Sequence, residues 1–158
     1  MIYIFSAIIL YFFLGLLLYS LQRKILFNTS GLPQETSHYG LKDVKEVQIP
    51  TNDGISLLSW YSKGNVKTPL LLYFHGNSFD IGERAYRNKR YIDKNWAVLL
   101  VAWRGYSGNK GKPTEKNLNI DGEAALKWIV KNTIYQLKDV VIYGESLGSG
   151  IAVELGKK

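Results

Sequence analysis

The chain contains no cysteine and only two histidines in 158 residues. Without cysteine, neither a disulfide nor a thiolate metal site can form. The two histidines, His38 and His75, lie far apart in the sequence, so neither a metal site nor a cofactor is predicted. The length allows one globular domain at most.

Acidic residues are outnumbered by basic ones, 13 against 20, which gives a net charge of +7. Such a charge is compatible with anionic lipid headgroups or with nucleic acid. We interpret the main cations as solvated helix and loop faces; they are Arg84, Arg87, Lys89, Arg90, Lys110, Lys112 and Lys116. No basic stripe with stacking aromatic residues is visible, so nucleic-acid binding is not predicted.

Charged side chains are absent from residues 1–22, and residues 2–21 are apolar apart from scattered Tyr, Ser and Gly. About 20 such residues cross a bilayer as a helix. A signal peptide would have a basic leading region and a small-residue cleavage site, which are absent here, so an anchor is favoured. A buried core helix is the alternative. Arg23 and Lys24 follow the segment, which places the body on the cytoplasmic side by the positive-inside tendency.

The remaining chain divides into a juxtamembrane linker, residues 23–42, and a domain, residues 43–158. Two apolar runs, 44–49 and 55–61, flank an Asp-Gly turn and predict a hairpin. Strands are then predicted at 70–74, 97–103 and 140–143, and helices near 82–94, 118–131 and from 147 onwards. This alternation predicts an α/β fold, with a mainly parallel sheet and helices on both faces.

The most informative pattern is Gly144-Glu145-Ser146-Leu147-Gly148, which follows an apolar strand and precedes a helical pattern. Glycine on both sides allows a sharp strand-to-helix turn that exposes the serine hydroxyl. The start of the helix offers free N–H groups to an oxyanion, and the amide of Leu147 is the expected donor. The sequence therefore predicts Ser146 as a catalytic nucleophile. A chance match is the alternative, and the flanking strand and helix disfavour it.

A second strand ends in His75-Gly76-Asn77. Acyl-transfer sites take their other oxyanion donor from a loop after an earlier strand, so the backbone amide of Asn77 is the expected second donor. His75 could be considered as a general base, but we interpret it as a residue that braces this loop through hydrogen bonds. His38 lies in the polar linker and is expected at the surface.

Four other polar residues have structural interpretations. Asp80 is expected to cap a helix and Asp121 to lie at a helix start, although each is also a candidate catalytic acid. Arg104 is expected to hold the loop after its strand rather than to bind a substrate anion. Glu145 is expected to line the pocket without taking part in chemistry.

Several segments are typical of one family when taken together: Gln22 to Phe27, Phe74-His75-Gly76-Asn77, Trp103-Arg104-Gly105-Tyr106-Ser107-Gly108 with Gly111 and Pro113, Asp121 with Trp128, and Gly144 to Gly148. On these residues the chain resembles the α/β-hydrolase superfamily, in particular its membrane-anchored serine hydrolases that act on lipid-like esters. The likeness runs from about residue 20 to residue 155. It implies that His75, Gly76, Arg104, Gly144 and Gly148 support the site loops, and it leaves the substrate open.

The chain departs from that family in one respect, because no histidine follows Ser146. In the family the acid and the histidine come after the serine. We therefore expect an N-terminal part of the domain without its C-terminal part, inactive on its own. A truncation, a split gene and a decayed gene are all compatible with this. The strand before Ser146 would then form a sheet edge, which predicts poor solubility unless a second chain supplies the missing half.

Two functions remain open at this point. In the first, the protein is a membrane-anchored serine hydrolase of small or lipid-like esters or thioesters, with the bilayer as a partner and a second chain as an open alternative for the missing half. In the second, it is an inactive membrane-bound remnant or a binding module. The two differ in whether a base and an acid are supplied from other sequence.

Overall fold

The computed structural model describes residues 2–29 and 31–157. Helices and strands follow in the order α1 (Ile2–Leu26), β1 (Val44–Pro50), β2 (Ser56–Ser62), β3 (Leu70–Phe74), α2 (Ala85–Ile92), β4 (Ala97–Val101), α3 (Glu115–Asn132), β5 (Val140–Gly144) and α4 (Leu147–Leu155). Short 3-10 helices lie at Thr36–Tyr39, Ile81–Arg84 and Leu137–Asp139.

The predicted strands and helices are present, with shifted ends. The helix predicted near residues 82–94 begins as the 3-10 helix Ile81–Arg84, which Asp80 caps by accepting a hydrogen bond from the N–H of Gly82 at 2.7 Å. The strand predicted to reach Trp103 ends at Val101. Its last two predicted residues instead begin the loop that carries Arg104.

The five strands form one sheet in the order β1-β2-β4-β3-β5. The pairs β1/β2 and β2/β4 are antiparallel, whereas β3 pairs in parallel with both β4 and β5. The turn between β1 and β2 is closed by the N–H of Thr51, which donates to the carbonyl of Ile55 at 2.7 Å. This confirms a hairpin followed by a parallel region. Since β3 and β5 are parallel neighbours, their carboxyl ends lie at the same edge of the sheet.

Helices cover both faces of the sheet, as predicted. Alternate residues of a strand point to opposite faces, so Leu70, Leu72 and Phe74 pack with α3 and α4 in one core. Leu71 and Tyr73 point the other way and pack with α2 and the region around Leu41. These side chains are at most 2% exposed, and burial of each stabilises the fold by about 1.5–3 kcal/mol.

Helix α1 differs from the rest of the chain because none of its described residues is buried against the described chain. At 1.5 Å per residue its 25 residues span roughly 37 Å, more than the hydrocarbon core of about 30 Å. The helix is therefore long and apolar enough to cross a membrane. Its exposure within residues 2–29 and 31–157 disfavours the alternative of a buried core helix. The helix continues to Leu26, past residue 22, where the predicted anchor ends.

Strand β5 lies at the end of the strand order and pairs only with β3 within the described residues. Two of its side chains remain exposed, Val141 at 44% and Tyr143 at 40%. The strand before Ser146 thus forms an apolar edge in the described part of the chain.

Candidate active site

The two turns that the sequence predicts as parts of a site lie side by side. Phe74 at the end of β3 pairs with Gly144 at the end of β5, and the N–H of Glu145 donates to the carbonyl of Phe74 at 2.9 Å. A Cβ atom placed on Gly76 would lie 3.4 Å from the Cβ of Ser146. The fold therefore brings Gly76 and Ser146 to one place at the carboxyl end of the sheet.

Ser146 has a strained backbone. Its φ of 49° and ψ of −111° lie outside the regions that L-residues ordinarily occupy. Such a conformation costs about 1–3 kcal/mol and persists only where the surroundings impose it. The side chain of Ser146 is exposed. This is the geometry of a serine held forward on a sharp turn between a strand and a helix.

The two flanking residues must be glycines because backbone atoms pack closely against both positions. A Cβ atom on Gly148 would collide with the carbonyl group of Phe74. A Cβ atom on Gly144 would collide with the backbone of Gly148 and Ser149. Both positions therefore require glycine, which is the physical basis of the Gly-x-Ser-x-Gly spacing.

Two backbone N–H groups next to this turn remain available. At the start of α4, the N–H groups of Gly148 and Ser149 donate to the carbonyls of Glu145 and Ser146, each at 2.9 Å. By contrast, neither the N–H of Leu147 nor that of Asn77 donates to an acceptor within residues 2–29 and 31–157. These are the two amides predicted to hold an oxyanion.

His75 braces the turn after β3. Its Nδ1 lies 2.7 Å from the carbonyl of Gly76, and its Nε2 accepts a hydrogen bond from the N–H of Trp103 at 3.3 Å. Since a carbonyl only accepts and a backbone N–H only donates, the ring proton is on Nδ1. Complete burial lowers the pKa of His75 to about 3, so the ring stays neutral. Both ring nitrogens are engaged, which leaves neither free to act as a base.

Asn77 connects this turn to the loop after β4 and to helix α1. Its carbonyl accepts hydrogen bonds from the hydroxyl of Tyr106 at 3.0 Å and from the N–H of Asn28 at 3.2 Å. Its side-chain amide donates to the carbonyl of Leu26 at 2.9 Å. The roles of Asn28 and Tyr106 were not predicted from the sequence, although the Arg-Gly-Tyr stretch indicated that the loop with Tyr106 belongs to the site.

Arg104 lies in a buried ion-pair network below the site. Its guanidinium donates to Asp121 at 2.6 Å and to Asp53 at 2.7 Å, and its backbone N–H also donates to Asp121 at 3.1 Å. Burial lowers the pKa of Arg104, but the hydrogen bonds from Arg104 to these two carboxylates outweigh burial and raise the pKa above its ordinary value. Arg104 thus ties the loop after β4 to α3 and to the hairpin turn.

The prediction that Asp121 lies at a helix start was wrong. Helix α3 begins at Glu115, with Thr114 as its N-cap, so Asp121 lies in the interior of the helix. Asp121 is fully buried, and its carboxylate accepts a hydrogen bond from Nε of Arg104 at 2.9 Å. It is a structural partner of Arg104 in this fold.

Glu145 is the centre of a second ionic cluster. It accepts a hydrogen bond from the hydroxyl of Tyr73 at 2.7 Å and forms ion pairs with Arg84 at 3.2 Å and Arg87 at 2.9 Å. Burial raises the pKa of Glu145, but these donors outweigh it and hold the pKa below its ordinary value. Arg84 also donates to the carbonyl of Ser78 at 2.5 Å, so it links the two turns.

The interpretation of all seven cations as solvated was therefore wrong for Arg84, which is only 8% exposed. Arg87 also pairs with Glu145, but its side chain remains 43% exposed. Within the part of the chain that the structure describes, no group of three or more His, Asp or Glu side chains is placed to hold a metal ion.

No family model matches the chain, but individual proteins do. It is 31% identical over 120 residues to the protein bem46 of Schizosaccharomyces pombe, covering 73% of this chain and 40% of that protein. It is 37% identical over 94 residues to alpha/beta hydrolase domain-containing protein 17B of Homo sapiens, covering 56% of this chain and 31% of that protein. An esterase of Pyrococcus furiosus superposes with a TM-score of 0.68 at 18% identity, over 81% of this chain and 49% of that chain.

The mixed sheet, its flanking helices and the strained serine turn define the α/β-hydrolase class of fold. The chain belongs to the α/β-hydrolase superfamily. It spans less than half of the length of each of these three proteins, between 31% and 49%.

Proposed function

We propose that the chain is part of a membrane-anchored serine hydrolase that cleaves carboxylic esters or thioesters, lipid-like ones included. One observation carries the proposal. An exposed serine on a strained turn lies beside two backbone N–H groups that lack an acceptor within the described residues. That combination suits acyl transfer, in which a nucleophile and an oxyanion site must be fixed relative to each other.

In the proposed reaction, Oγ of Ser146 attacks the carbonyl carbon of the substrate while a base takes the Oγ proton. The carbonyl oxygen becomes an oxyanion that accepts hydrogen bonds from the N–H groups of Asn77 and Leu147. Each such donor accelerates acyl transfer by about 10²–10³-fold. The bond to the leaving alcohol or thiol then breaks, and the leaving group takes the proton from the protonated base. Water hydrolyses the acyl-serine by the reverse sequence, which releases a carboxylic acid and restores the hydroxyl.

The base and the acid of this proposal come from outside residues 1–158, on the same polypeptide or on a second one. Of the two histidines, His75 has both nitrogens engaged, and His38 is exposed in the 3-10 helix Thr36–Tyr39. The superfamily members described above are more than twice as long as the matched region, which supports a supply from additional sequence.

Attachment to a membrane is part of the proposal, with the body on the cytoplasmic side. Helix α1 is long enough to span a bilayer, and Arg23 and Lys24 lie in its last turn. The end of this helix is tied to the site region, because Arg23 donates to the carbonyl of Pro113 at 2.8 Å and Asn77 donates to that of Leu26. The proposed nucleophile would then lie near the bilayer surface.

The test is turnover by the complete gene product in its native membranes. Short-chain ester and thioester hydrolysis is measured for the wild type, for Ser146→Ala and for Ser56→Ala, which alters an exposed serine of the hairpin. We expect loss of activity in Ser146→Ala alone, because a hydrolase without its nucleophile retains only residual catalysis. Equal rates in all three would contradict the proposal and favour an inactive remnant.

A further inference from the structure

The end of the loop after β4 and the first turn of α3, residues 105–116, form a basic segment. It contains three lysines, Lys110, Lys112 and Lys116, and a single carboxylate, that of Glu115. All three lysines are exposed, and none of them forms a hydrogen bond or an ion pair within the part of the chain that the structure describes. These cations are therefore available to an anionic partner.

Hydrogen bonds fix the backbone of the basic segment. The N–H of Gly105 donates to the carbonyl of Asn109 at 3.0 Å, and the side-chain amide of Asn109 donates to the carbonyl of Ala102 at 3.0 Å. Further along, the side-chain amide of Asn117 donates to the carbonyl of Lys112 at 3.1 Å. Because the lysines project from an ordered backbone, a partner has to order only their side chains, which lowers the entropy cost of binding.

The basic segment is attached to the end of α1. The guanidinium of Arg23 donates to the carbonyl of Pro113 at 2.8 Å. About 20 residues of helix span the hydrocarbon core of roughly 30 Å, and α1 has 25 residues. With α1 across the bilayer, as proposed above, its last turn with Arg23 and Lys24 lies in the headgroup layer. The bond to Pro113 then holds the basic segment at that layer.

An exposed apolar side chain accompanies these cations. Leu32 is 76% exposed. A Cβ atom on Gly108 would collide with the side chain of Leu32, so Leu32 lies against the basic segment. Basic residues meet the phosphates of a bilayer, whereas a neighbouring leucine enters the boundary between headgroups and acyl chains. The two features together match the surface of a membrane better than a soluble anion.

Nearby carboxylates do not cancel the charge of the three lysines. Glu123 and Glu154 line a groove beside Arg23 at the end of α1. Glu154 forms an ion pair with Lys157 at 2.8 Å. Glu123 is about 10 Å along α3 from Lys116, which exceeds the screening length of about 8 Å at physiological salt. The basic segment therefore keeps an excess of positive charge.

We propose that the basic segment binds the headgroups of anionic phospholipids at the membrane surface, with Leu32 at the boundary between headgroups and acyl chains. Each lysine close to an anionic bilayer favours contact by about fivefold, so the three together favour it by roughly 100-fold. This contact holds the domain in one orientation relative to the bilayer. The proposal rests on the membrane attachment proposed above, but not on the chemistry at Ser146.

The test places the full chain in vesicles of phosphatidylcholine alone or of an equimolar mixture with phosphatidylglycerol. Because the chain has no cysteine, Leu32→Cys carries a single environment-sensitive nitrobenzoxadiazole fluorophore. We expect its emission to rise and shift to the blue in the mixture, and this response to disappear at high salt. The reporter control is Ile134→Cys, at a residue that is 57% exposed after the end of α3, and it should not respond.

The charge of the basic segment is tested in the Leu32→Cys background. A variant that replaces its three lysines with glutamine should lose the response to phosphatidylglycerol. The matched control removes the same charge at three other exposed lysines, Lys127, Lys131 and Lys138. Lys127 is about 16 Å along α3 from Lys116, roughly twice the screening length. This control should keep the response.

Equal emission in both kinds of vesicle, or an equal response in the two triple variants, would overturn the lipid-binding surface. The same response to inorganic phosphate with phosphatidylcholine vesicles would also overturn it, in favour of a site for any small anion. Flotation of the vesicles separates these failures from a failure of membrane attachment. A chain that floats with both kinds of vesicle without a change in emission overturns the lipid surface alone. A chain that floats with neither overturns the attachment, and with it this proposal.

Discussion

The turns after β3 and β5 lie side by side but are held in different ways. The turn after β3 is fixed by hydrogen bonds from distant residues, namely Trp103 to His75, and Tyr106 and Asn28 to Asn77. The turn after β5 is fixed by the absence of side chains at Gly144 and Gly148. The turn after β3 depends on hydrogen bonds from distant residues, whereas the turn after β5 depends on two glycines that let backbone atoms approach closely, those of Phe74 included.

This difference suits the two proposed tasks. An oxyanion donor must be rigid before the reaction starts, and the many bonds around His75 and Asn77 provide that rigidity. A nucleophile must be accessible, and the strained turn keeps Ser146 exposed. The strain at Ser146 is sustained by the backbone packing around Gly148.

Among the substitutions, the largest expected effect comes from breaking the turn after β5. Gly148→Ala puts a Cβ atom against the carbonyl of Phe74, and we expect the free energy of unfolding to fall by about 2–3 kcal/mol. Gly150→Ala is the matched control, because it has open space on the same helix and should stabilise by about 0.5–1 kcal/mol. Denaturant unfolding of both variants in detergent checks this. Equal destabilisation by the two would contradict the packing explanation.

Acid is expected to destabilise the turn after β3, because it protonates the buried His75. The pKa of His75 is about 3 in the folded chain because of burial, and 6.5 is its ordinary value. The unfolded chain therefore binds more protons between these values, so stability is full above about pH 6.5 and falls as the pH drops toward 3. His75 alone contributes at most about 1.4 kcal/mol per pH unit to the slope of the free energy of unfolding against pH.

Unfolding free energies between pH 7 and pH 4 test this dependence in the wild type and in His75→Gln. The variant is expected to show the shallower slope, since glutamine does not titrate. His38→Gln alters an exposed histidine and should keep the slope of the wild type. Identical slopes in all three proteins would show that His75 is not buried as a neutral ring.

A smaller loss of stability is expected from weakening the ion pairs that connect the two turns. Glu145→Gln weakens the pairs with Arg84 and Arg87, and Arg84 also holds Ser78 next to Asn77. We expect a loss of about 1 kcal/mol in the free energy of unfolding. Asp93→Asn disrupts the exposed pair with Lys89 and should cost less than about 0.5 kcal/mol. A Glu145→Gln variant as stable as Asp93→Asn would mean that the turns are not coupled through this cluster.

The smallest effect concerns the link between α1 and the turn after β3. Asn77→Ala removes the hydrogen bond to the carbonyl of Leu26 but keeps the backbone amide of residue 77. We expect a loss of about 0.5–1 kcal/mol in stability and faster amide hydrogen exchange near the end of α1. Unchanged exchange there would indicate that α1 is held by other contacts.

The same contrast explains which parts were predictable from sequence. The turn after β5 was predictable because close backbone packing requires its two glycines, which leaves a Gly-x-Ser-x-Gly pattern in five consecutive residues. The bonds of Asn77 were not, because Tyr106 is 29 residues away and its hydroxyl carries no local signal. Arg84 appeared solvated because its partner Glu145 is 61 residues away.

The misplacement of Asp121 has a related cause. Helix α3 begins at Glu115, three residues before the predicted start at Leu118, because Thr114 caps it by accepting from the N–H of Asn117. Apolar periodicity begins only at Leu118 and so marks the buried face rather than the end of the helix. The alternation of strands and helices was predictable, since it depends on hydrophobic patterns along the whole chain, whereas the strand order β1-β2-β4-β3-β5 was not predicted.

The most direct test of the account is labelling of native membranes with a tagged fluorophosphonate, followed by identification of the modified residue and of the mass of the labelled polypeptide. The account predicts a label on Ser146 that disappears in Ser146→Ala and persists in Ser56→Ala. Absence of label on Ser146, or the same labelling in Ser146→Ala, would contradict the claim that the two turns form one acyl-transfer site.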